Sequence, residues 1–579
     1  MIQARMGSSR MPGKSMALLA GRPLLWHILH RLKQTPGVDE IVVATTTGAE
    51  DDPLATFAEQ HGARAVRGPA EDVLARYLLA ARTSGADLIV RATGDAPLVC
   101  PRMLATLIEA IKRDGTEHAG AEQGVPCIHE GFSVLTMTAL ERLAREHGDN
   151  SIAREHVTGY FAADPAFVRT TRVPVPLEHR FTAKISVDTP ADLVFLERLY
   201  ERSGSAPGEI ELADVVRALR EDPALLDINR HVHRKGLDTT ARRVLVRCDA
   251  NSTLGFGHLI RCLAVAEELR DSFSCGVRFA MLQDAIAKRM AIEAGFPMDD
   301  VEPADENTWL EKQVETTRTH ALLVDVRTAL GPTTLERCRT QGTLVAVLDD
   351  ASPRRLAADL AFYPPVERAF ALDWQGSSTE VSIGWEWVPL RRSFAAASSA
   401  FNPDGPILIS MGGSDPRGLT SRVLEALEQV PLLPLRIVLG PGFEAKPQLI
   451  EQIQRSPHKV EVLESIRDMR NAMQGVGLAI LCFGVTAYEA AAAGLPAIHL
   501  CLDDDHVSSS KAFHGAGMAL SLGRHDRLTD KALRGAVLAL LGDPHQRARM
   551  GRAAREYIDG KGAQRIAARL FEGMQDGAV

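Results

Sequence analysis

The sequence predicts an α/β protein built from three Rossmann-like units. Short runs rich in valine and isoleucine alternate with amphipathic helical patterns along almost the whole chain, which is typical of parallel sheets covered by helices on both faces. The length of 579 residues is enough for roughly three or four domains. Two stretches of weak periodicity, near Asp222–Arg242 and Ala395–Pro406, separate the three units.

The domain limits follow from the order of the predicted elements. The apolar runs predict strands at Glu40–Ala44, Asp87–Val90, Arg243–Arg247, Leu322–Asp325, Leu344–Leu348, Ile407–Ser410, Arg436–Leu439 and Leu478–Leu481. Helices are predicted at Pro23–Leu32 and His258–Leu269. We therefore predict a domain at 1–225, a linker at 226–242, and lobes at 243–395 and 405–579. The two lobes are similar in size, as expected for paired Rossmann-like lobes with a cleft between them.

The composition is that of an ordinary globular protein. A net charge of -8 and a pI of about 6.2 give no sign of a nucleic-acid partner. The eight cysteines are scattered without a C-x-x-C pair, which predicts reduced, mostly buried thiols in a cytoplasmic protein. The first residues lack the apolar segment of a signal peptide. The apolar stretch Gly477–Leu502 contains Glu489 and Pro496, which favours a buried strand and helix over a membrane span.

The first residues, IQARMGSSRMPGK, combine glycines, hydroxyls and cations after a strand end. Gly7 and Ser8 are small enough for backbone N–H groups to approach phosphate oxygens. A triphosphate could be neutralised by three cations of this segment, Arg5, Arg10 and Lys14. A solvated, disordered basic terminus is the alternative that composition alone leaves open. Only Met1–Ala4 precede the loop, so either the first strand is very short or the true start lies upstream.

Further blocks in the first 205 residues decide between these alternatives. The N-terminal segment resembles the Q-A-R-M-G-S-x-R-x-P-G-K signature of the cytidylyltransferases of spore-coat polysaccharide synthesis, relatives of the CMP-sialic-acid synthetases. The resemblance continues in order through Ile41–Thr47, Asp51-Asp52, Arg67-Gly68, Glu71–Leu74, Arg76-Tyr77, Arg91–Leu98, Arg154–Thr158 and Val187–Leu193. It implies a nucleotidyltransferase domain of Rossmann-like fold, with CTP and a small sugar as substrates.

The resemblance also assigns roles to residues of this half. It implies Mg²⁺ held by Asp95 and Asp188, since two carboxylates with phosphate oxygens suit that ion. It places Arg10 and Lys14 in catalysis and allows a homodimer through the N-terminal domain. The residues implied in nucleotide binding are Arg5, Gly7, Ser8 and Arg91. From the residues alone, Asp95 could instead be a strand-end turn residue, and Asp188 a helix N-cap before Thr189.

Three positions depart from the family pattern on the side of the sugar acceptor. Ser133 and Leu135 stand in a strand where acidic residues are usual, and Cys100 replaces an acidic residue after Pro97-Leu98. These differences predict either an unusual acceptor or a half that binds nucleotide with little catalysis.

The second half opens with a strand, a glycine-bearing loop and a helix. Gly255 and Gly257 permit a tight backbone, and His258 stands at the helix start. Beside a helix N-terminus an imidazole should stay neutral, which suits a general base. A packed or capping histidine is the alternative for an isolated G-x-G-H.

The wider pattern, R-x-D-A-x-x-x-x-G-x-G-H-x-x-R-C-L, resembles the UDP-sugar hydrolase of pseudaminic acid biosynthesis, a relative of the GT-B glycosyltransferases. Further matching blocks are Leu348–Asp350, Pro389–Arg391, Ile407–Pro416, Phe483–Glu489 and Gly494–Pro496. The resemblance implies two lobes of a GT-B-type fold that act on a UDP-sugar without a cofactor. Asp325-Val326-Arg327 and Asp503–His506 depart from the pattern, which leaves the sugar and the nucleotide open.

The resemblance implies His258 as the base that activates water and Asp249 as the residue that orients the sugar or the histidine. Gly257 belongs to the same loop. Backbone N–H groups of two further loops would receive the diphosphate: Gly412, Gly413 and Ser414, then Gly484 and Thr486. Glu489 would accept hydrogen bonds from ribose hydroxyls, and a solvated helix carboxylate is its alternative.

Together the two halves predict a bifunctional enzyme of bacterial nonulosonic acid biosynthesis with two separate active sites. One rival keeps the GT-B lobes but makes them a glycosyltransferase, which shares the donor site and differs in the acceptor. A second rival makes the N-terminal half a non-catalytic nucleotide-binding domain.

Overall fold

The computed structural model describes residues 1–8, 10–233, 242–395, 399–443, 447–464, 466 and 468–576. They fall into two compact units, Met1–Ala241 and Arg242–Val579. Parts of the predicted linker and of the second predicted boundary, 234–241 and 396–398, lie outside the described residues.

The N-terminal unit alternates strands and helices around one seven-stranded sheet. Its strands are β1 Ile2–Gln3, β2 Leu18–Leu19, β3 Arg22–Pro23, β4 Val42–Thr46, β5 Arg64–Gly68, β6 Leu88–Thr93, β7 His118–Ala121, β8 Phe132–Thr136 and β9 Thr170–Val173. Its helices are α1 Leu24–Lys33, α2 Asp52–Gln60, α3 Val73–Ser84, α4 Pro101–Asp114, α5 Met137–His147, α6 Ser151–His156, α7 Gly159–Ala163, α8 Pro190–Ser203 and α9 Leu212–Glu221.

The main sheet of this unit is mixed, which corrects the prediction of parallel sheets throughout. The strand order is β5-β4-β1-β6-β8-β7-β9, and β8 runs antiparallel to both β6 and β7. No helix lies between β7 and β8, both of which are described in full, and a parallel crossover needs a longer connection. Alternate residues of β4 face opposite sides: Val43 packs among α1, α4 and α8, while Val42 and Ala44 pack against α3 and α5.

The C-terminal unit begins with a lobe around a parallel seven-stranded sheet. Its strands are β10 Arg243–Cys248, β11 Gly276–Leu282, β12 Met298–Val301, β13 Ala321–Asp325, β14 Leu344–Leu348, β15 Leu360–Tyr363 and β16 Glu380–Ile383. Its helices are α10 Gly257–Asp271, α11 Ala285–Glu293, α12 Glu306–Thr317, α13 Pro332–Thr340 and α14 Glu367–Phe370.

The second lobe has a parallel six-stranded sheet. Its strands are β17 Ile407–Ser410, β18 Pro434–Leu439, β19 Lys459–Glu464, β20 Leu478–Cys482, β21 Ala497–Cys501 and β22 Ala519–Arg524. The helices that follow β17 are α15 Leu419–Leu427, α16 Pro447–Arg455, α17 Met469–Met473, α18 Val485–Ala492, α19 Asp504–Gly515, α20 Asp530–Gly542, α21 Pro544–Tyr557 and α22 Gly562–Asp576.

Both lobes confirm the predicted fold class, because each has the strand order of a doubly wound Rossmann sheet. The orders are β12-β11-β10-β13-β14-β15-β16 and β19-β18-β17-β20-β21-β22. The order reverses between β10 and β13 in the first lobe and between β17 and β20 in the second. Loops that leave these strand pairs at their carboxyl ends form the crevice where such sheets bind ligands.

The last helix corrects the predicted limits of the second lobe. α22 lies within 405–579, but it packs on α10 of the first lobe. Its apolar residues recur at helical spacing and are buried there: Ala563, Ile566, Ala567, Leu570 and Met574. At the start of α22 the chain passes close to the backbone of Val388. Gly562 allows this approach because it has no side chain, and a Cβ there would lie 2.0 Å from the carbonyl oxygen of Val388.

All eight cysteines lie among the described residues and carry free thiols, and all but Cys127 are buried. Along the described stretches of the chain, no helix has both the length and the apolar character needed to cross a bilayer.

Candidate active sites

The first candidate site lies where the strand order of the N-terminal sheet reverses, between β1 and β6. The loop after β1 is anchored by the buried Asp51, whose Oδ1 accepts the backbone N–H of Met6 at 2.6 Å and whose Oδ2 accepts that of Thr46 at 3.1 Å. Burial opposes ionisation of Asp51, but these hydrogen bonds outweigh it and hold the pKa of the carboxyl below its ordinary value. Asp51 thus fixes the start of the predicted phosphate loop.

The loop itself closes on one carbonyl group. The oxygen of Met6 accepts the N–H of Ser8 at 2.9 Å and that of Gly13 at 2.8 Å, and Gly13 has φ 74°. Gly7 is exposed, as is Arg5, whose guanidinium donates to the carbonyl oxygen of Ala70 at 3.3 Å. These hydrogen bonds bring Met6 and Gly13 close together and leave Gly7 open to solvent.

The structure brings four predicted residues together at the end of this loop. Lys14 Nζ lies 3.1 Å from Asp95 Oδ2 and 3.3 Å from Asp188 Oδ1, and it also donates to the carbonyl oxygen of Val187 at 3.1 Å. Arg10 NH2 lies 2.8 Å from Asp188 Oδ2. The backbone N–H of Val187 donates to the carbonyl oxygen of Asp95 at 2.8 Å, which holds the two carboxylate-bearing segments side by side.

The alternative role of Asp188 as a helix cap is excluded by geometry. The N-cap of α8 is Thr189, whose N–H donates to Asp192 Oδ2 at 3.0 Å. Asp188 instead meets a third cation, Lys184, whose Nζ lies 3.3 Å from Asp188 Oδ2 and 2.6 Å from Asp192 Oδ2. Sequence reasoning missed Lys184, although a cation four residues before Asp188 was a signal that could have found it.

Charge pairing favours the ionised forms of Asp188 and Lys14 although both side chains are largely buried. Burial raises the pKa of Asp188, but Lys14, Lys184 and Arg10 outweigh it and hold that pKa well below its ordinary value. Burial likewise lowers the pKa of Lys14, but Asp95 and Asp188 outweigh it and raise that pKa. Because one ammonium group reaches both carboxylates, a small cation at that position can also be shared by them. The residues therefore fit a Mg²⁺ site of two carboxylates.

The remaining predicted residue of this half, Arg91, lies within the sheet. Its NH2 lies 3.4 Å from Gln3 Oε1, and its guanidinium lies 5.9 Å from the centre of the Tyr77 ring. Its neighbour across the ladder is Ser133, one of the departures, whose Oγ donates to Thr158 Oγ1 at 3.3 Å. These contacts tie Arg91 to β1 and α3.

The second candidate site centres on His258, the second residue of α10. Its Nδ1 lies 2.7 Å from Oδ1 of Asp325, which ends β13, so the Nε2 atom is left for the crevice. Arg261, one turn further along α10, reaches the same carboxylate with Nε at 2.5 Å and NH2 at 2.6 Å. Asp349 follows β14 and lies 2.7 Å from NH2 of Arg368 and 3.5 Å from NH1 of Arg261.

The buried carboxylate of Asp325 lies at the centre of this network, where it contacts both His258 and Arg261. It is 2% exposed, and burial alone would raise its pKa, but Arg261 and His258 outweigh burial and hold the pKa well below its ordinary value. Asp325 therefore stays ionised and orients the imidazole, as a carboxylate does for a histidine general base.

The structure corrects one of the two alternative roles predicted for Asp249, that of orienting the histidine. This residue follows β10, as does the loop that leads to His258, but its Oδ1 accepts from NH1 of Arg247 at 2.6 Å and from the N–H of Leu282 at 2.9 Å. The partner of the histidine is Asp325, which the sequence pattern left without a role. An aspartate directly after a buried strand was the signal that could have found it.

The second lobe faces this network through two of its loops. Ser414 Oγ donates to the carbonyl oxygen of Ser252 at 2.8 Å, and a Cβ at Gly413 would lie 2.7 Å from Cδ2 of Phe256. Gly412 has φ 84°, which favours glycine. The predicted diphosphate loop after β17 therefore lies against the loop that precedes His258.

The other loop meets the start of α10. A Cβ at Gly257 would lie 3.3 Å from Cγ2 of Val485, the first residue of α18. Gly484 is the N-cap of α18, Thr486 is its second residue, and no side chain of the described residues caps this end of the helix. The N–H groups at an uncapped helix N-terminus favour an anion.

Two side chains of α18, Tyr488 and Glu489, have pKa values raised by burial, and Tyr488 borders the network. Burial raises the pKa of Tyr488, which senses the charges of Asp349, Arg261 and Arg368. Glu489 is 6% exposed, so it is not the solvated carboxylate of the alternative interpretation. Burial raises its pKa to about 7 against the opposing effect of Arg391.

Comparison with known proteins separates the two units. A family model described as cytidylyltransferase matches residues 1–212. The spore coat polysaccharide biosynthesis protein SpsF of Bacillus subtilis is 31% identical over 232 residues, which cover 38% of this chain and 93% of that protein. Through residues 1–212, the chain belongs to the cytidylyltransferase family. A 3-deoxy-manno-octulosonate cytidylyltransferase of Anaeromyxobacter is 40% identical over 234 residues, or 33% of this chain and 92% of that enzyme.

The C-terminal unit has a relative of its own. The spore coat polysaccharide biosynthesis protein SpsG of Bacillus subtilis is 24% identical over 333 residues, which cover 56% of this chain and 96% of that protein. The chain thus combines similarities to two separate proteins of one organism.

Proposed function

We propose that the chain is a bifunctional sugar-nucleotide enzyme, in which the cytidylyltransferase unit activates a sugar acid with CTP and the C-terminal unit hydrolyses a UDP-amino-sugar. The observation that carries the proposal is that the predicted residues of both halves meet at crevices where the strand order of a sheet reverses. We further propose that the sugar is a nonulosonic acid of the pseudaminic or sialic type.

In the first site, a hydroxyl oxygen of the sugar acid would attack the α-phosphorus of CTP. The bond from the α-phosphorus to the bridging oxygen breaks, pyrophosphate leaves, and the hydroxyl proton passes to solvent. In the structure, Arg10 pairs with Asp188 and Lys14 pairs with Asp95. With CTP bound, both cations would instead contact the phosphates and stabilise the negative charge that develops there. Mg²⁺ held by Asp95 and Asp188 would neutralise the triphosphate when bound.

In the second site, a water molecule would attack the anomeric carbon of the UDP-sugar. His258 Nε2 would accept the proton of that water, because Asp325 holds Nδ1 and stabilises the imidazolium that forms. The bond from the anomeric carbon to the diphosphate oxygen breaks, and UDP leaves. The uncapped N-terminus of α18 and the loop Gly412–Ser414 would receive the diphosphate charge.

The two B. subtilis relatives support a link between the halves. Both carry the name of spore coat polysaccharide biosynthesis, and each is covered by this chain almost in full. Two proteins that serve one polysaccharide in one organism, and that are similar to one fused chain, favour two activities in the same biosynthesis.

The test assays the two reactions separately on the full chain. Pyrophosphate release is measured with CTP and a 3-deoxy-nonulosonic or 3-deoxy-octulosonic acid, and UDP release is measured with UDP-amino-sugars. We expect Asp95→Asn to lower only pyrophosphate release, by about 100-fold or more, and His258→Gln to lower only UDP release, by a similar factor. Exposed residues of the same types supply the controls, Asp39→Asn and His545→Gln, which should leave both rates unchanged.

Three outcomes would contradict parts of the proposal. Loss of both activities from one substitution would contradict two independent sites. UDP release that depends on an added acceptor alcohol would make the second unit a glycosyltransferase. A wild-type chain that binds CTP but releases no pyrophosphate with any sugar acid would make the first unit a nucleotide-binding domain without catalysis.

A further inference from the structure

Three metal-ligating side chains meet in the N-terminal unit, outside the cluster that contains Asp95 and Asp188. One donor atom each from Cys100, His129 and His179 lies within 4.8 Å of the other two. Cys100 is the N-cap of α4, His129 lies between β7 and β8, and His179 ends a short 3-10 turn. The three segments are far apart in sequence, so only the fold brings these groups together.

The two imidazoles face each other in a way that leaves their hydrogen bonding incomplete. His179 Nδ1 lies 3.1 Å from His129 Nε2. Within the part of the chain that the structure describes, the opposite nitrogens, His129 Nδ1 and His179 Nε2, are buried without a hydrogen-bond partner. Only one of the two facing nitrogens can carry the proton of this contact, and a metal ion bound to both would take the place of that proton.

The distances are close to those of two ligands on one tetrahedral zinc ion. Zn–N distances of about 2.0–2.1 Å place two coordinated nitrogens about 3.3 Å apart, near the observed 3.1 Å. Zn–S distances of about 2.3 Å require the sulfur to lie about 3.6 Å from each nitrogen, so from separations of up to 4.8 Å the sulfur needs to approach each nitrogen by about 1 Å at most.

The three donor groups are largely shielded from solvent. Cys100 and His179 are buried, and His129 is partly buried.

We propose that Cys100, His129 and His179 bind one Zn²⁺ ion, with a water molecule as the fourth ligand. Binding forms one Zn–S and two Zn–N bonds and releases the thiol proton of Cys100 to solvent. Among the described residues no fourth carboxylate, imidazole or thiol meets the same distance criterion, so a protein-only tetrahedral site is not available. Three protein ligands and an open position are the pattern of zinc sites that accept an exogenous ligand.

The ion would join three segments that border the first candidate site. The backbone N–H of Ile128 already donates to the carbonyl oxygen of His179 at 3.3 Å, and Glu130 Oε2 accepts the N–H of Ser186 at 2.9 Å. A bound zinc ion would also link Cys100, and through it the turn that contains Asp95, to the segments of His129 and His179. The departure at Cys100 therefore replaces a carboxylate with a soft ligand at a position that two histidines can reach.

The experiment measures metal binding to the full, untagged chain after removal of metal with a chelator. Zinc is added back, unbound ion is removed, and the metal content is determined by mass spectrometry. We expect about one zinc per chain for the wild type and for Cys127→Ala, a neighbouring half-buried cysteine outside the cluster. We expect at least a tenfold weaker affinity for Cys100→Ala and for His179→Ala.

Cobalt substitution tests the ligand set directly. The wild type and Cys127→Ala should show the near-ultraviolet charge-transfer band of a thiolate on Co²⁺, and Cys100→Ala should lack it. Asp95→Asn should keep the band, which separates this site from the proposed magnesium site. A wild-type chain that binds neither ion, or a Cys100→Ala variant with an unchanged band, would overturn the proposal. If Cys100→Ala does not fold, as judged by circular dichroism, absence of the band from the wild type would still overturn it.

Discussion

The buried Glu489 predicts a pH dependence of stability that one substitution should remove. Its pKa is raised from an ordinary value of 4.5 to about 7 by burial, and the charged groups that it senses are Arg391 and Asp468. This increase in pKa means that folding favours the protonated form of Glu489 over the ionised form by about 3 kcal/mol. At 6% exposure, solvent screening reduces this figure little.

The sign follows from which state holds the proton. Between pH 4.5 and about 7 the unfolded chain has released the proton of Glu489 while the folded chain still binds it. The free energy of unfolding therefore falls as the pH rises through this window. Above about pH 7 the contribution of Glu489 to this free energy no longer changes with pH. Glu489→Gln cannot titrate, so relative to the wild type it should gain about 3 kcal/mol of stability between pH 4.5 and pH 8.

The assay is denaturant unfolding followed by tryptophan fluorescence, because four of the five tryptophans lie in the C-terminal unit and Trp385 lies 6.4 Å from Tyr488 between ring centres. Glu425→Gln, at an exposed position of α15, is the matched control and should follow the wild type at every pH. Parallel pH profiles for the wild type and Glu489→Gln would refute the reasoning.

Three further substitutions test packing and charge. Arg31→Ala should destabilise the N-terminal unit by at least about 3 kcal/mol, because the guanidinium donates to three buried carbonyl oxygens, including that of Val99 at 2.6 Å. Gly131→Ala should cost about 2–4 kcal/mol, because φ is 73° and a Cβ would lie 2.4 Å from Thr93 Oγ1. Asp325→Asn should cost about 3 kcal/mol by leaving the largely buried guanidinium of Arg261 without its nearest carboxylate. Thermal and denaturant unfolding measure all three.

Matched variants separate each mechanism from a general loss of stability. Lys33→Ala removes an exposed cation from the same helix as Arg31 and should change little. Gly124→Ala has a similar φ of 79° with open space around it, so it should cost only about 1 kcal/mol. Equal effects of the two glycine substitutions would show that the predicted clash near Thr93 is relieved. A stable Asp325→Asn would show that the network tolerates a neutral partner.

The local patterns of the sequence were sufficient to predict several central strands, such as β4, β10 and β17, and the glycine-bearing loops that follow some of them. Alternation of apolar runs with amphipathic segments is a short-range property, and it predicted α/β units with Rossmann-like lobes. Glycine-bearing loops after β1, β10, β17 and β20 were predicted for the same reason, since a strand, a tight turn and a helix start are neighbours in the chain.

Partners that are distant in the chain were decided by the tertiary structure. The pairing of His258 with Asp325 and of Cys100 with two histidines depends on which strands become neighbours. The antiparallel β8 and the return of α22 to the first lobe depend likewise on the length of connections and on which apolar surface is left to cover. Periodicity shows which face of an element is apolar, but the surface that buries it is set only when the whole sheet has assembled.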